Sequence, residues 1–467
     1  MGATPESNLS VGERVYVEHC AGCHGQNMEG GLGSSFLDGI WNYGDFPGAI
    51  GLTVMTGVQG TEMPAWMGVL SQEEISSVVD YILQAEKKSG AEPPAIPEVI
   101  ETSDYDVRVE VLADGLAKPW AIEFIDKKTA LVTIASGELL VMRDGVIQGE
   151  PIQGLPQVFH RNNAGLMDVA VDPDYKTNGW VYLSYTHATD GPKQGDVPPL
   201  MTQVVRGKIQ DGRWTVQETV FAAPPEYHIP SIAHMGSRIS FDRRGYLYFS
   251  IGDYFFSISN YKPGDIGNPN DAQNLQLPNG KIHRVIPDGS IPADNPFTDL
   301  TGVAPSVFSY GHRNPQGLAF HPVSGELWST EHGPMGGDEL NVIRKGANYG
   351  WPLVTYGLNH DGSRFSELTA KEGTEQPIRY WTPSIGVSAI EFYRGGMFPE
   401  WNNNLLVASL KAKTLQRLVI EDETVVHSEL LFAHFGRVRD LTVDEDGAIY
   451  VVLNTPGKIL RLTRENK

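Results

Sequence analysis

The pentapeptide Cys20-Ala21-Gly22-Cys23-His24 holds the most specific chemistry in the chain. Two thiols three residues apart on a helical turn reach both vinyl groups of one porphyrin as thioethers, and the histidine that follows falls beneath the iron as proximal ligand. A zinc half-site would need further ligands nearby, and a redox dithiol would not require the histidine. These are the only two cysteines in 467 residues, so the rest of the chain has neither a disulfide scaffold nor a thiolate metal site. The spacing predicts covalent haem c at Cys20 and Cys23, with His24 as one axial ligand.

The second axial ligand is expected to be a methionine, and Met28, Met55, Met63 and Met67 are at hand. Met63 precedes Pro64 in GTEMPAWMGVLSQEEISSVVDYIL, a loop entering an amphipathic helix with Ser71 at the N-cap and Glu74 at capping-box spacing. This stretch resembles the C-terminal half of a class I cytochrome c, in which a Met-Pro loop delivers the ligand. The resemblance implies Met63, with Met67 and Met55 as the alternatives; His19 sits beside the thioether and is a poor second ligand. Ile75, Val78, Val79 and Ile82 fall at i, i+3, i+4 and i+7, a core stripe rather than a cofactor box. A His/Met haem has a raised potential and no open coordination position, so it carries electrons for some other centre.

That centre must lie beyond the segment QAEKKSGAEPPAIPEV, whose charge, glycine and prolines mark a boundary. The chain divides into an all-α haem domain at 1–90, a Pro-rich linker at 91–103 and a β-rich domain at 104–467. In the last, an apolar strand, a turn and a second strand recur. The unit reads AIEFIDKKTALVTIAS, VAVDPDYKTNGWVYLSY, ISFDRRGYLYFSIGD, LAFHPVSGELWSTEHG, MFPEWNNNLLVASL and LTVDEDGAIYVVLN, with an Asp opening the turn in four of them. Six units over about 360 residues give about 60 residues each, which suits four-stranded blades of a six-bladed β-propeller. The strand DVRVEVL is expected to pair with KILRLTR and close the ring.

A propeller gathers its blade loops at one end of a central channel, so polar residues at the ends of the repeated strands should meet there. His234 lies in AHMGSR and Asp253 in SIGD. Arg313 and Asn314 lie in YGHRNPQGLAF, and Gly333 and Pro334 in EHGPMGGDELN. Lys411 follows the fifth unit, while Arg437 and Arg439 precede the sixth in FGRVRDL. Cations gathered in a funnel would hold a planar or anionic polycarboxylate.

The runs GHRNPQGLAF, EHGPMGGDELNVIRKGANYGWP, LLVASLK and GRVRDL resemble the soluble aldose and glucose dehydrogenases that depend on pyrroloquinoline quinone (PQQ). The resemblance spans 104–467 and implies roles position by position. His234 matches the general base for the sugar's anomeric hydroxyl, and Asp253 the acid that orients it. Arg313 and Asn314 match contacts to the quinone oxygens, where Arg313 would stabilise charge as hydride arrives. Lys411, Arg437 and Arg439 match the residues that bind the cofactor's carboxylates. Gly333 and Pro334 match the backbone carbonyls that hold the active-site Ca²⁺, and Trp381 an aromatic of the sugar-side wall. Two positions depart from the family: Asn163 stands where a Gln is usual, and Ala233 precedes His234 where the glucose enzymes carry an acid. Asp338 and Glu339 resemble part of a second, structural Ca²⁺ site of some relatives, with a loop cap as the alternative.

The reading is therefore a quinohaemoprotein that oxidises an aldose to its lactone, passes electrons from PQQH₂ to the fused haem, and hands them to an external cytochrome or respiratory-chain component. Sorbosone-type aldehydes and secondary alcohols are alternative substrates within this group. A Ca²⁺-dependent propeller lactonase or esterase is one alternative function, and a non-catalytic propeller beside a relay haem is another. The net charge of −21 repels nucleic acid and anionic lipid. Residues 1–91 carry 11 Asp/Glu against 3 Lys/Arg, which favours a basic or neutral docking partner. No apolar run approaches the roughly 18 residues that cross a membrane. The start MGATPESNLS has no apolar leader core and is compatible with a trimmed leader. Cofactor maturation points to the periplasm or the cell exterior.

Overall fold

In the computed structural model, which describes residues 9–91, 94–191, 193–254, 269–359 and 363–465, Ser10 caps the first helix by accepting from the Glu13 amide. That helix is α over Val11–Val15, widens to a π turn over Tyr16–Cys20 and returns to α over Ala21–His24. A wider turn beside the cysteines re-aims them without ending the helix. Pro47–Thr56 and Gln72–Ser89 complete the helical domain. The capping box forms as read: Ser71 Oγ accepts from the Glu74 amide, and the Glu74 carboxylate accepts from the Ser71 amide. Ile75, Val78, Val79 and Ile82 are buried against Val15, Tyr16 and Ile50. Met335 belongs to the same core and Leu358 packs on it, although both come from propeller loops.

The remainder is a ring of six antiparallel sheets. Blades I to V span 119–148, 166–221, 239–310, 315–381 and 387–433, each with its strands in chain order from the axis outward. Blade VI is made from both ends of the domain. Arg437–Val443, Ile449–Thr455 and Gly457–Arg464 are followed outward by Asp106–Ala113 and Val99–Glu101. The expected closure is present as the Val107–Arg464 to Val111–Leu460 register. Val99–Glu101, inside the stretch read as linker, is already the outer strand of this sheet. The fifth unit also differs from its reading. Its inner strand is Val387–Phe392, while Met397 lies in the connection, which carries a helical turn at Pro399–Trp401. The apolar residues of that connection pack in the core shared by blades V and VI rather than in a strand.

The Asp that opens four of the turns explains their shape. Asp126, Asp172, Asp242 and Asp444 each accept from backbone amides two to four residues ahead, an Asx arrangement that folds the chain back with little strain. Near the axis, Arg238 donates to Asp168 at 3.0 Å and to Asp440 at 2.7 Å. Asp168 also accepts from the Ile239 amide, Asp440 from the Ile122 amide, and the Gln316 carbonyl from Arg238. One buried guanidinium thus ties five blades together, and the network fixes the ring's geometry more than its stability.

Candidate functional site

Two sites emerge, one in each domain. In the helical domain a cavity of about 420 Å³ is lined by Cys20, Cys23, His24 and Met63. Of the four local methionines, only Met63 lines it; Met28 and Met55 are in the core and Met67 is exposed. His24 Nδ1 stands 2.8 Å from the Ser34 carbonyl. A carbonyl only accepts, so Nδ1 carries the hydrogen and Nε2 is the nitrogen left for a metal. Phe36 stacks on the ring at 4.3 Å and holds its plane. Burial, then the neighbouring Cys23, pushes the Cys20 thiol up to about 11. That is the reverse of an activated redox dithiol. The cavity, the ring orientation and the donor set fit haem c.

In the propeller, His234 and Asp253 come from the two ends of the inner hairpin of blade III. His234 Nδ1 donates to Asp253 Oδ1 at 2.6 Å, and Trp351 Nε1 donates to Asp253 Oδ2 at 2.7 Å. Asp253 is fully buried, and its amide donates to the Arg313 carbonyl. His234 has φ +53°, a left-handed conformation held by its surroundings. A Cβ on Gly252 would stand 2.0 Å from the His234 carbonyl oxygen, so only glycine lets the chain fold this closely behind the imidazole.

The same network extends around the funnel. Asn314 Oδ1 accepts from the Gly236 amide at 3.0 Å, and its Nδ2 lies 3.3 Å from His332 Nδ1. Arg313 donates to the carbonyls of His332 and Gly333, the latter at 2.7 Å, and its guanidinium lies over the Trp351 ring. Gln316 joins Asn314 to Arg439. Asp338 accepts from the amides of Gly333, Gly386 and Val387, which fixes the Gly333 loop against the chain leading to Lys411. These bonds make Asp338 a loop tie. Glu339 is pushed up by burial and by Glu331.

Lys411 and Arg437 line one cleft, and Arg437 stands close enough to Arg439 to press on its charge. Among the described residues none of the three has a carboxylate at ion-pair distance, in contrast to Arg238 with its two. Arg439 Nε and Arg313 Nε are buried and without a hydrogen-bond acceptor. Burial lowers Lys411 to about 8, partly opposed by Asp338. Burial first, and then Arg437, presses Arg439 down as well. Buried cations with orphaned donors fit a polycarboxylate such as PQQ. The fit to Ca²⁺ is partial: the chain offers neutral carbonyls, and that of Gly333 already accepts from Arg313. An anionic cofactor would have to complete such a site. Because an anion favours protonated Lys411, PQQ uptake by the cofactor-free protein should weaken as pH rises through about 8. Affinity about tenfold lower at pH 9.5 than at pH 7 is expected in a fluorescence titration. A flat profile would remove Lys411 from the site.

Two expected residues sit less centrally. Asn163 is exposed on the turn closed by Arg161 and Ala164. Its neighbour Asn162 accepts from Lys118, a lysine pressed down by burial and by Arg439 and Arg437, so the turn stands on the same rim. Trp381 is buried among blades IV and V with its indole N–H unpartnered. Sequence reasoning passed over Trp351, His332, Gln316 and Lys118. The first three lie inside or beside runs already singled out, and only the fold shows which side chains of a run turn inward.

The family model described as Glucose / Sorbosone dehydrogenase matches residues 116–461. The model described as Cytochrome C oxidase, cbb3-type, subunit III matches residues 7–82. The aldose sugar dehydrogenase YliI of Escherichia coli (strain K12) is 36% identical over 367 residues, covering 77% of this chain and 94% of that protein. The quinoprotein glucose dehydrogenase B of Acinetobacter calcoaceticus is 26% identical over 419 residues, covering 75% of this chain and 86% of the other. The crystal structure of the soluble aldose sugar dehydrogenase of E. coli in its apo-form superposes with a TM-score of 0.68 at 35% identity, covering 77% of this chain and 100% of that one.

Proposed function

The chain belongs to the glucose/sorbosone dehydrogenase family and carries an N-terminal cytochrome c domain, and from this premise we propose that it is a PQQ- and Ca²⁺-dependent aldose dehydrogenase with a built-in haem outlet. The observation that carries the proposal is a buried His–Asp pair whose neighbour His332 also feels Arg313 and Arg439, the latter one of three cations with no carboxylate at ion-pair distance among the described residues. The name of the quinoprotein relative supports the choice of cofactor. When bound, PQQ supplies a two-electron acceptor, Ca²⁺ at the Gly333 and Pro334 carbonyls a Lewis acid, and haem c a one-electron outlet.

The chain's own residues supply binding and proton handling. Lys411, Arg437 and Arg439 would hold the cofactor's carboxylates, and Arg313 and Asn314 would meet its quinone oxygens. Asp253 accepts from His234 Nδ1–H, which fixes the tautomer and makes Nε2 the nitrogen that takes the anomeric proton. Once His234 is protonated, the Asp253 carboxylate stabilises the imidazolium. Trp351 engages the other Asp253 oxygen and keeps the carboxylate from turning away. A lactonase would leave the buried cations without a role.

No helix among the described residues is long and apolar enough to cross a membrane. An external one-electron acceptor and a periplasmic or extracellular setting complete the reading. Its test is the visible spectrum of the oxidised protein with a panel of aldoses. Reduced haem bands should appear only when aldose, PQQ and Ca²⁺ are all present. Haem that ascorbate reduces, but that no aldose reduces in loaded protein, would sink the proposal.

A further inference from the structure

The helical domain does not hang from the linker; it packs on loops of blades IV and V. Asp45 Oδ2 stands 2.8 Å from Lys413 Nζ. The Gln59 amide donates to the Thr382 carbonyl at 3.1 Å, one residue beyond Trp381, and the Met63 carbonyl accepts from the Val58 amide at 3.1 Å. Met335, next to Pro334, is packed in the helical domain's core, and Tyr43 packs on the core of blades IV and V. The Asp45, Gln59 and Tyr43 contacts come from separate parts of the helical domain and, with Met335, cross to blades IV and V beside candidate site residues, while the Val58–Met63 bond ties Met63 to the loop that carries Gln59.

One short segment separates the two sites. Tyr43 and Gly44 line the cavity that holds Cys20, Cys23, His24 and Met63. Gly44, Asp45 and Phe46 line a second cleft, of about 690 Å³, with Lys411, Lys413 and Arg437. Gly44 therefore has the haem cavity on one side and Lys411 on the other. It has φ +100°, and a Cβ there would stand 2.8 Å from Ala49 Cβ and 3.1 Å from Lys411 Cγ. A side chain at this position would push the two sites apart.

We propose that this docked arrangement is the working one: Tyr43–Gly44–Asp45 is the common wall across which electrons leave the funnel for the haem, and Asp45–Lys413 is its latch. The proposal rests on the dehydrogenase reading above. Oxidation of one aldose to its lactone releases two electrons and two protons, while the haem takes one electron at a time. The wall is therefore crossed twice per sugar, with an external one-electron acceptor reoxidising the haem each time. A protein acceptor then meets the haem domain, whereas a small dye takes electrons from the propeller site directly through the open cleft beside Lys411 and Arg437.

The ion pair allows a direct test on the intact chain loaded with haem and PQQ. A carbodiimide activates a carboxylate and joins it to an adjacent amine as an amide. Peptide mass spectrometry should find Asp45 joined to Lys413 at a yield independent of protein concentration. The coupled protein should keep aldose-driven haem reduction within about twofold and lose its dependence on ionic strength. In Lys413→Glu, two carboxylates face each other; haem reduction should fall about three- to tenfold, and Asp45→Lys/Lys413→Glu should restore it. Dye-linked sugar oxidation should not change in either variant. Absence of the 45–413 peptide, or coupled protein that oxidises sugar with dye but no longer reduces haem, would overturn the proposal. If wild-type protein oxidises no sugar even with dye, the dehydrogenase reading fails, and the 45–413 peptide still decides the docking.

Discussion

Replacing His234 with Asn lowers dye-linked aldose oxidation about 10²–10⁴-fold, the range that a positioned general base contributes. Asn is the informative substitute because it tolerates the left-handed backbone at φ +53° and leaves the chain against Gly252 undisturbed. It cannot take a proton. PQQ binding should stay within a few-fold of wild type, since the carboxylate-binding cations come from other blades. The loss should therefore fall on kcat rather than on cofactor affinity. Asp253→Asn should act on the same step by another route. Its amide can present N–H to His234 Nδ1, which would place the imidazole hydrogen on Nε2, the wrong nitrogen for a base. If the His234→Asn protein oxidised sugar within a few-fold of wild type, the pair would be structural and the base would lie elsewhere.

Loss of both thiols should separate the two activities completely. In Cys20→Ser/Cys23→Ser, no covalent haem remains on denaturing gels, aldose no longer produces an absorbance change, and the helical domain loses cooperative unfolding. Dye-linked sugar oxidation should remain within about twofold. The asymmetry follows from how each domain is held. The helices surround a cavity of about 420 Å³ that their own side chains do not fill, and a domain of this size has only about 5–15 kcal/mol of stability to set against such a void. The propeller closes on itself through the pairing of Asp106–Ala113 with Gly457–Arg464 and needs no helical domain to complete its ring. Dye-linked activity that disappeared with the thiols would mean that the helical domain builds part of the sugar site.

Much of this was legible in the chain because the decisive signals are local. The two thiols and the histidine after them lie within five residues. The capping box at Ser71 and Glu74 lies within four, and an Asp that folds a hairpin does so through amides two to four residues ahead. Period-2 apolar strands repeated six times left few architectures besides a propeller. The fifth unit was misplaced because the apolar run at Met397 imitates a strand while belonging to the connection that follows Val387–Phe392.

What the tertiary structure decided is everything that depends on which side chains turn toward one another across blades. Met63 could be separated from Met55 and Met67 only by the cavity it lines. Trp351 reaches Asp253 from 98 residues away, and Gln316 joins Asn314 to Arg439 from 123 residues away. No periodicity encodes such pairings. The seating of the helical domain on blades IV and V is the largest of these decisions. It rests on single contacts such as Asp45 with Lys413 and Gln59 with Thr382, between segments more than 300 residues apart. The sequence by itself determined the chemistry available to each domain, because that chemistry sits in short runs. The fold decided how the two chemistries meet, because a contact between distant segments exists only after both have folded.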